Sequence, residues 1–309
     1  MIGRHSTSKL ISIVSLITLL FISSFGHLVS TSAAQERETS NFDIVTYDVE
    51  IQDIRGTTSV AELVLQLSAT SDNTEARGFM TFTEGPETAQ GVTLEVSGVE
   101  VRDLNTVILD LYGLRVNVGE EMVREVEGQM SSQDATLNGD FSGTYSGLGG
   151  IGSFNATVNS VKSATASNLS VVGTGINGDG DYRGELVLFR TPNEGTGNGV
   201  VREDVIGWFR LTAAPEEEQF GNASLEGLIF QVEGTIDIRD SDDLMALQMS
   251  AAIGGIPGER DDLPDIGTLI ESFRINASGS AQTNVFEGNS GALGGLLGSI
   301  NQADITISP

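Results

Sequence analysis

Five short blocks occur twice in this chain, in the same order, and that duplication restricts the possible fold more than any other feature. Ser40-Asn41-Phe42-Asp43-Ile44-Val45 resembles Ser167-Asn168-Leu169-Ser170-Val171-Val172, and Ala61-Glu62-Leu63-Val64-Leu65 resembles Gly184-Glu185-Leu186-Val187-Leu188. Gly78-Phe79-Met80-Thr81-Phe82-Thr83 has its counterpart in Gly207-Trp208-Phe209-Arg210-Leu211-Thr212. Each of these is followed at the same interval by Pro-Glu, at Pro86 and Pro215. Gly91, Val96 and Gly98 match Gly227, Val232 and Gly234, and the stretch Leu148 to Asn155 matches Leu293 to Asn301. The offsets are 127, 123, 129, 136 and 145, so the second copy carries insertions. A single block between glycine-rich strands could arise by chance, but five collinear blocks argue for duplication, with copies over 40–162 and 163–309. The shared residues suit turns, curvature and packing better than catalysis.

Within each copy the apolar residues recur every second position. Val45, Tyr47, Val49 and Ile51 alternate with Thr46, Asp48 and Glu50. Leu63, Leu65 and Leu67 form one such face, and Val92, Leu94 and Val96 another. Period-two patterning with one polar face is the mark of a half-buried antiparallel strand. Clusters such as Ser71-Asp72-Asn73, Gly178-Asp179-Gly180 and Asn193-Glu194-Gly195 punctuate the pattern as turns. Short helical turns are expected only over 120–127 and 266–273. The expected fold is all-β: two tandem, internally duplicated antiparallel β-sandwich or barrel-like units behind a signal peptide.

The signal peptide is read over residues 1–34. Arg4, His5 and Lys9 form a basic head, Leu10 to Phe25 an apolar run, and Ser32-Ala33-Ala34 a small-residue cleavage site. The apolar run is shorter than the ~20 residues of a spanning helix. The expected location is therefore secreted, extracellular or periplasmic, with surface association possible and no transmembrane segment in the mature chain. Cleavage there removes both histidines, His5 and His27, and leaves one lysine, Lys162.

Composition then excludes whole classes of chemistry. The chain has no cysteine, so it has no disulfide scaffold, thiol nucleophile or zinc ribbon. Without histidine, the mature part offers no Ser-His-Asp triad and no imidazole-ligated metal. A formal net charge of −27 repels phosphate backbones, which argues against nucleic-acid binding. That acidity fits a saline habitat and ordinary extracellular acidity equally. Carboxylate-pair chemistry of the glycosidase type stays open, but 43 acidic residues give no spacing that selects a pair. No catalytic residue and no organic cofactor is assigned.

The one candidate metal set is Asn177, Asp179, Asp181 and Glu185, with oxygen ligands at alternate positions as in a calcium-wrapping loop. Tyr182 and Leu188 stand where an EF-hand needs glycine and glutamate, so a Gly/Asp hairpin turn competes with calcium binding. Asp240, Asp242 and Asp243 form a second acidic cluster, read as solvated loop charges, and Trp208 is read as a core residue. The expected function is a secreted or cell-envelope, non-enzymatic β-protein with a structural, matrix or ligand-binding role. The alternative is a carboxylate-based glycoside hydrolase or a calcium-assisted carbohydrate binder. Expected partners are a second copy of the chain or an extracellular glycan.

Overall fold

The computed structural model describes residues 42–69, 74–85, 90–101, 106–116, 123–132, 141–147, 150–175, 181–193, 199–213, 227–253, 269–294 and 303–309. The signal peptide read over 1–34 lies outside them. The described residues form antiparallel strands joined by turns, and no helix occurs among them. In chain order the strands are β1 (Phe42–Asp53), β2 (Thr58–Ala69), β3 (Thr74–Glu84), β4 (Thr93–Val101) and β5 (Thr106–Val116). There follow β6 (Val123–Ser132), β7 (Phe141–Gly147), β8 (Gly150–Gly175), β9 (Asp181–Asn193) and β10 (Val201–Ala213). The last five are β11 (Ile229–Ile238), β12 (Asp243–Ile253), β13 (Leu269–Ser280), β14 (Val285–Gly294) and β15 (Ala303–Ser308). Of the short helices expected over 120–127 and 266–273, residues 120–122 and 266–268 lie outside the described residues, and the rest are corrected to strand. Val123–Ser132 pairs with β5, and Leu269–Ser280 pairs with both β12 and β14. Ladder pairing overrides a weak local helical preference.

The fifteen strands belong to one sheet whose ladder closes on itself twice. Strands β1 to β8 pair in sequence order, and β1 then pairs with β8. Strands β9 to β15 pair in the same manner, and both β9 and β15 also pair with β8. The long β8 is thus common to two closed rings. Its residues 152–164 meet β1, and residues 165–174 meet β9. Closure gives each described strand a hydrogen-bonded neighbour on both sides and removes exposed edges.

Alternation sorts the side chains into an inside and an outside for each ring. Inside the first ring, Val45, Tyr47, Val49, Leu63, Leu65, Met80, Phe82, Leu94, Val96 and Phe154 form one buried cluster. Burial pushes the Tyr47 phenol far above its ordinary pKa. Inside the second ring, Leu186, Leu188, Phe209, Phe230, Val232, Leu247, Met249, Phe273, Phe286 and Ile307 form another. A third cluster uses outward-facing residues of both rings. Ile44, Val64 and Phe79 from β1–β3 and Val187, Phe189 and Trp208 from β9–β10 are fully buried against one another. Trp208 lies 5.9 Å from Phe79 and 5.7 Å from Phe189, centroid to centroid. The Arg77 guanidinium sits 5.1 Å over its indole ring. The face of β2 that alternation marks as polar thus hides Val64, because the second ring covers it.

Two pairs of glycines fix how tightly the strands pass. A Cβ on Gly78 would lie 1.8 Å from the Val64 carbonyl oxygen, and one on Gly207 would lie 1.9 Å from that of Val187. Gly91 and Gly227 turn the chain with φ of 79° and 87°, a region glycine enters freely. Gly91 N–H donates to the Phe82 carbonyl at 2.7 Å, and Gly227 N–H donates to that of Leu211 at 2.7 Å.

Candidate functional site

The apolar filling of the second ring ends in a charged layer at one mouth. Along the inward face of β9, Leu186 and Leu188 are followed by Arg190, and along β10 Glu203 precedes Val205 on the same face. Arg190 Nε and Nη2 both reach Glu203 Oε2 at 2.6 Å. Its Nη1 donates to the Ala281 carbonyl at 3.2 Å and to Asn284 Oδ1 at 2.9 Å. Ser167 Oγ, from β8, donates to the same Asn284 oxygen at 3.4 Å. Asn284 presents that oxygen from a left-handed backbone, φ 56°, which asparagine tolerates better than other side chains. Arg190 is 9% exposed, so the ion pair with Glu203 works in a poorly solvated setting where losing either partner is costly.

Asp243, equally buried, ties two turns together at this mouth. Its Oδ1 accepts from Arg239 N–H at 2.9 Å and its Oδ2 from Ala281 N–H at 2.6 Å. The turn between β11 and β12 is thereby fastened to the turn between β13 and β14. Above this floor lies a cavity of about 430 Å³, with Arg190, Arg239, Ser241, Asp243, Ser280 and Gln282 among its walls. One Nη2 hydrogen of Arg190 has no acceptor among the described residues once the bonds above are assigned. The sequence reading missed Arg190 and Glu203 and took Asp243 for a solvated charge. Asp240 and Asp242 are indeed exposed, but Asp243 faces inward on β12. The available signal was a charge at an inward position of an alternating strand.

Of the four calcium candidates, only Asp181 and Glu185 fall within the described residues, and Asn177 and Asp179 lie outside them. Asp181 is exposed, accepts from Thr174 Oγ1 at 3.2 Å and stands 4.0 Å from Arg183 Nη2. Glu185 is four residues further along β9, about 13 Å away at the strand rise, and its carboxylate is bonded to Arg210. Ligands of one calcium ion sit only about 2.5 Å from it, so Glu185 and Asp181 serve different neighbours.

Charged groups also border the contact between the rings. Arg210 bridges Glu185 on β9 and Glu95 on β4, the latter at 3.0 Å. Arg77 Nη1 donates to Asn168 Oδ1 at 2.9 Å. Elsewhere on this border Glu62 has the Glu233 and Asp48 carboxylates nearby. Desolvation by burial, and then those two charges, raise its pKa above the ordinary glutamate value, and Lys162 opposes them. On the second ring, Asp237 accepts from Arg202 at 2.6 and 3.0 Å, which holds its carboxyl below the usual range.

No helix among the described residues is long and apolar enough to cross a membrane, and none of their acidic groups cluster in threes suited to a metal. No protein-family model, no curated protein and no solved structure matches the chain.

Proposed function

We propose that the chain is an exported, non-enzymatic protein whose mature part consists of two duplicated eight-stranded barrels sharing β8, acting as a structural, matrix or ligand-binding module outside the cytoplasm. The observation that carries this reading is the way side chains are distributed. Among the described residues both ring interiors are lined by buried apolar groups, while the outward faces away from the ring contact carry Asp, Glu, Ser, Thr and Asn. That is the reverse of a lipid-facing barrel, whose exterior band is apolar. Among the described residues the interior positions are filled by apolar side chains, and the strand faces offer no trough with two opposed carboxylates. Glu95, Glu185 and Glu203 are each tied to an arginine, and Asp243 to backbone N–H groups.

The duplication is supported by ladder register. Glu62 pairs with Thr81, and Glu185 pairs with Arg210. Thr81 pairs with Thr93, and Arg210 pairs with Ile229. These partners differ by the same offsets, 123, 129 and 136, that relate the sequence blocks. The crowded Gly78 and Gly207, the turn glycines Gly91 and Gly227, and the touching pair Phe79 and Trp208 are equivalent under those offsets. The ring contact is then self-complementary, as in a two-fold dimer made within one chain. The first block needs a different alignment. Phe42 and Ile44 face the second ring, whereas Leu169 and Val171 face a ring interior. A shift to Tyr47 opposite Leu169 restores equivalence.

The test is incubation of the exported protein with a glycan panel, read by reducing-sugar release alongside N-terminal sequencing. The expected result is a chain that begins at Gln35 and releases no sugar. Turnover that disappears when one Asp or Glu is changed to its amide would overturn the non-enzymatic reading.

A further inference from the structure

We infer that the cavity at the mouth of the second ring, above the Arg190–Glu203 pair, is a binding site for a neutral, polyhydroxylated ligand of one or two sugar rings. The inference rests on the ligand-binding form of the function proposed above and gives it a place and a chemistry.

The charged groups of the floor already have partners. Glu203 neutralises Arg190, and Asp243 is held by two backbone N–H groups across two turns. The floor is therefore rigid before any ligand arrives, and preorganised polar groups bind with little ordering loss. What stays available is a set of mixed donors and acceptors. Arg190 keeps one Nη2 hydrogen without an acceptor among the described residues. The Gln282 amide supplies a donor and an acceptor, and Ser241 supplies a hydroxyl. Arg239 is held only loosely, 3.4 Å from Asp237 Oδ2. Ile238 and the backbone of Gly279 give a small apolar patch beside them.

Charge selects among ligands. An anion would approach a chain of net charge −27 against its long-range field, and would meet Asp243 in the wall. A cation would meet the guanidinium groups of Arg190 and Arg239 instead. A neutral molecule rich in hydroxyls meets neither penalty and matches both donors and acceptors. The cavity, about 430 Å³, lies toward the small end of the range for organic ligands.

The experiment is ligand-observed NMR on the full chain. The probes are glucose, galactose, N-acetylglucosamine and their β-linked disaccharides, with glucuronate and glucosamine as charged counterparts, each at about 10 mM, well above a millimolar Kd. The expected result is saturation transfer to at least one neutral sugar, weaker transfer to both charged ones, and at least tenfold weaker affinity in Ser241→Ala/Gln282→Ala. Both substituted side chains are exposed and lie outside the buried floor, so the variant keeps the fold; an unchanged thermal midpoint verifies this. No transfer to any neutral sugar, stronger transfer to a charged one, or binding that the double variant leaves intact would overturn the site. In the last case sugar binds elsewhere, so the site fails while the ligand-binding reading stands. Conversion of the probe would instead sink the non-enzymatic reading.

Discussion

Gly78 and Gly207 sit where the neighbouring strand's carbonyl oxygen occupies the space a Cβ would need. Backbone rather than a flexible side chain blocks that space, so relief requires the ladder to move. Gly78→Ala and Gly207→Ala are each expected to lower unfolding stability by about 3 kcal/mol in urea denaturation, at the upper end of overpacking effects. Gly291, with nothing within 4 Å of its Cβ position, is the control, and Gly291→Ala is expected to stay within about 0.5 kcal/mol. Glu62 supplies a pH-dependent counterpart. Its folded-state pKa is raised above 4.5, so it favours the fold while protonated, and this contribution is lost as pH rises through the folded value. Glu62→Gln keeps the shape without the charge. Its thermal midpoint is expected to exceed that of the parent at pH 7, with the difference gone below about pH 4. A variant less stable than the parent at pH 7 would show that the carboxylate is favourably held.

At the scale of elements, the outward faces of β1–β3 and β9–β10 matter as much as the ring interiors. Trp208 is 1% exposed and touches Phe79, Phe189 and Arg77. Trp208→Ala is expected to cost about 3–5 kcal/mol, whereas Trp208→Phe retains most of the contact. Strand identity was legible in the sequence because Val45-Tyr47-Val49-Ile51 and Val92-Leu94-Val96 alternate cleanly. The reading of one polar face per strand passed over the unbroken run Leu186-Val187-Leu188-Phe189, whose burial on both faces the ring contact explains. The stretches 123–127 and 269–273 misled because their strand character comes from partners on β5, β12 and β14. Ring closure was not legible, since Val49 meets Ala156 across more than a hundred residues and local pattern carries no register. The mouth cluster was hidden for the same reason: Ser167, Arg190, Glu203, Asp243 and Asn284 come from five separate places in the chain.

For the whole molecule, β8 is the element through which the account stands or falls. One continuous strand supplies a wall to each ring, and the apolar contact around Trp208 joins the rings beside it. The described body is therefore expected to unfold as one unit. Fluorescence of the single tryptophan and far-UV circular dichroism should give coincident transitions, and two separated steps would show independent rings. The absence of cysteine allows the strand's double role to be tested by introduced disulfides. Asp48 faces Thr157 across β1 and β8, and Val172 faces Thr306 across β8 and β15, all four exposed. Directly opposed antiparallel residues have Cα atoms about 4.5–5.5 Å apart, which suits a disulfide. The deciding measurement is oxidation of Asp48→Cys/Thr157→Cys and of Val172→Cys/Thr306→Cys, with Asp48→Cys/Thr306→Cys as the mismatched pair. The account predicts that both matched pairs form the intramolecular bond in high yield under native conditions while the mismatched pair stays reduced. Failure of either matched pair to close in a folded protein, or equal closure of the mismatched one, would contradict two rings built on one shared strand.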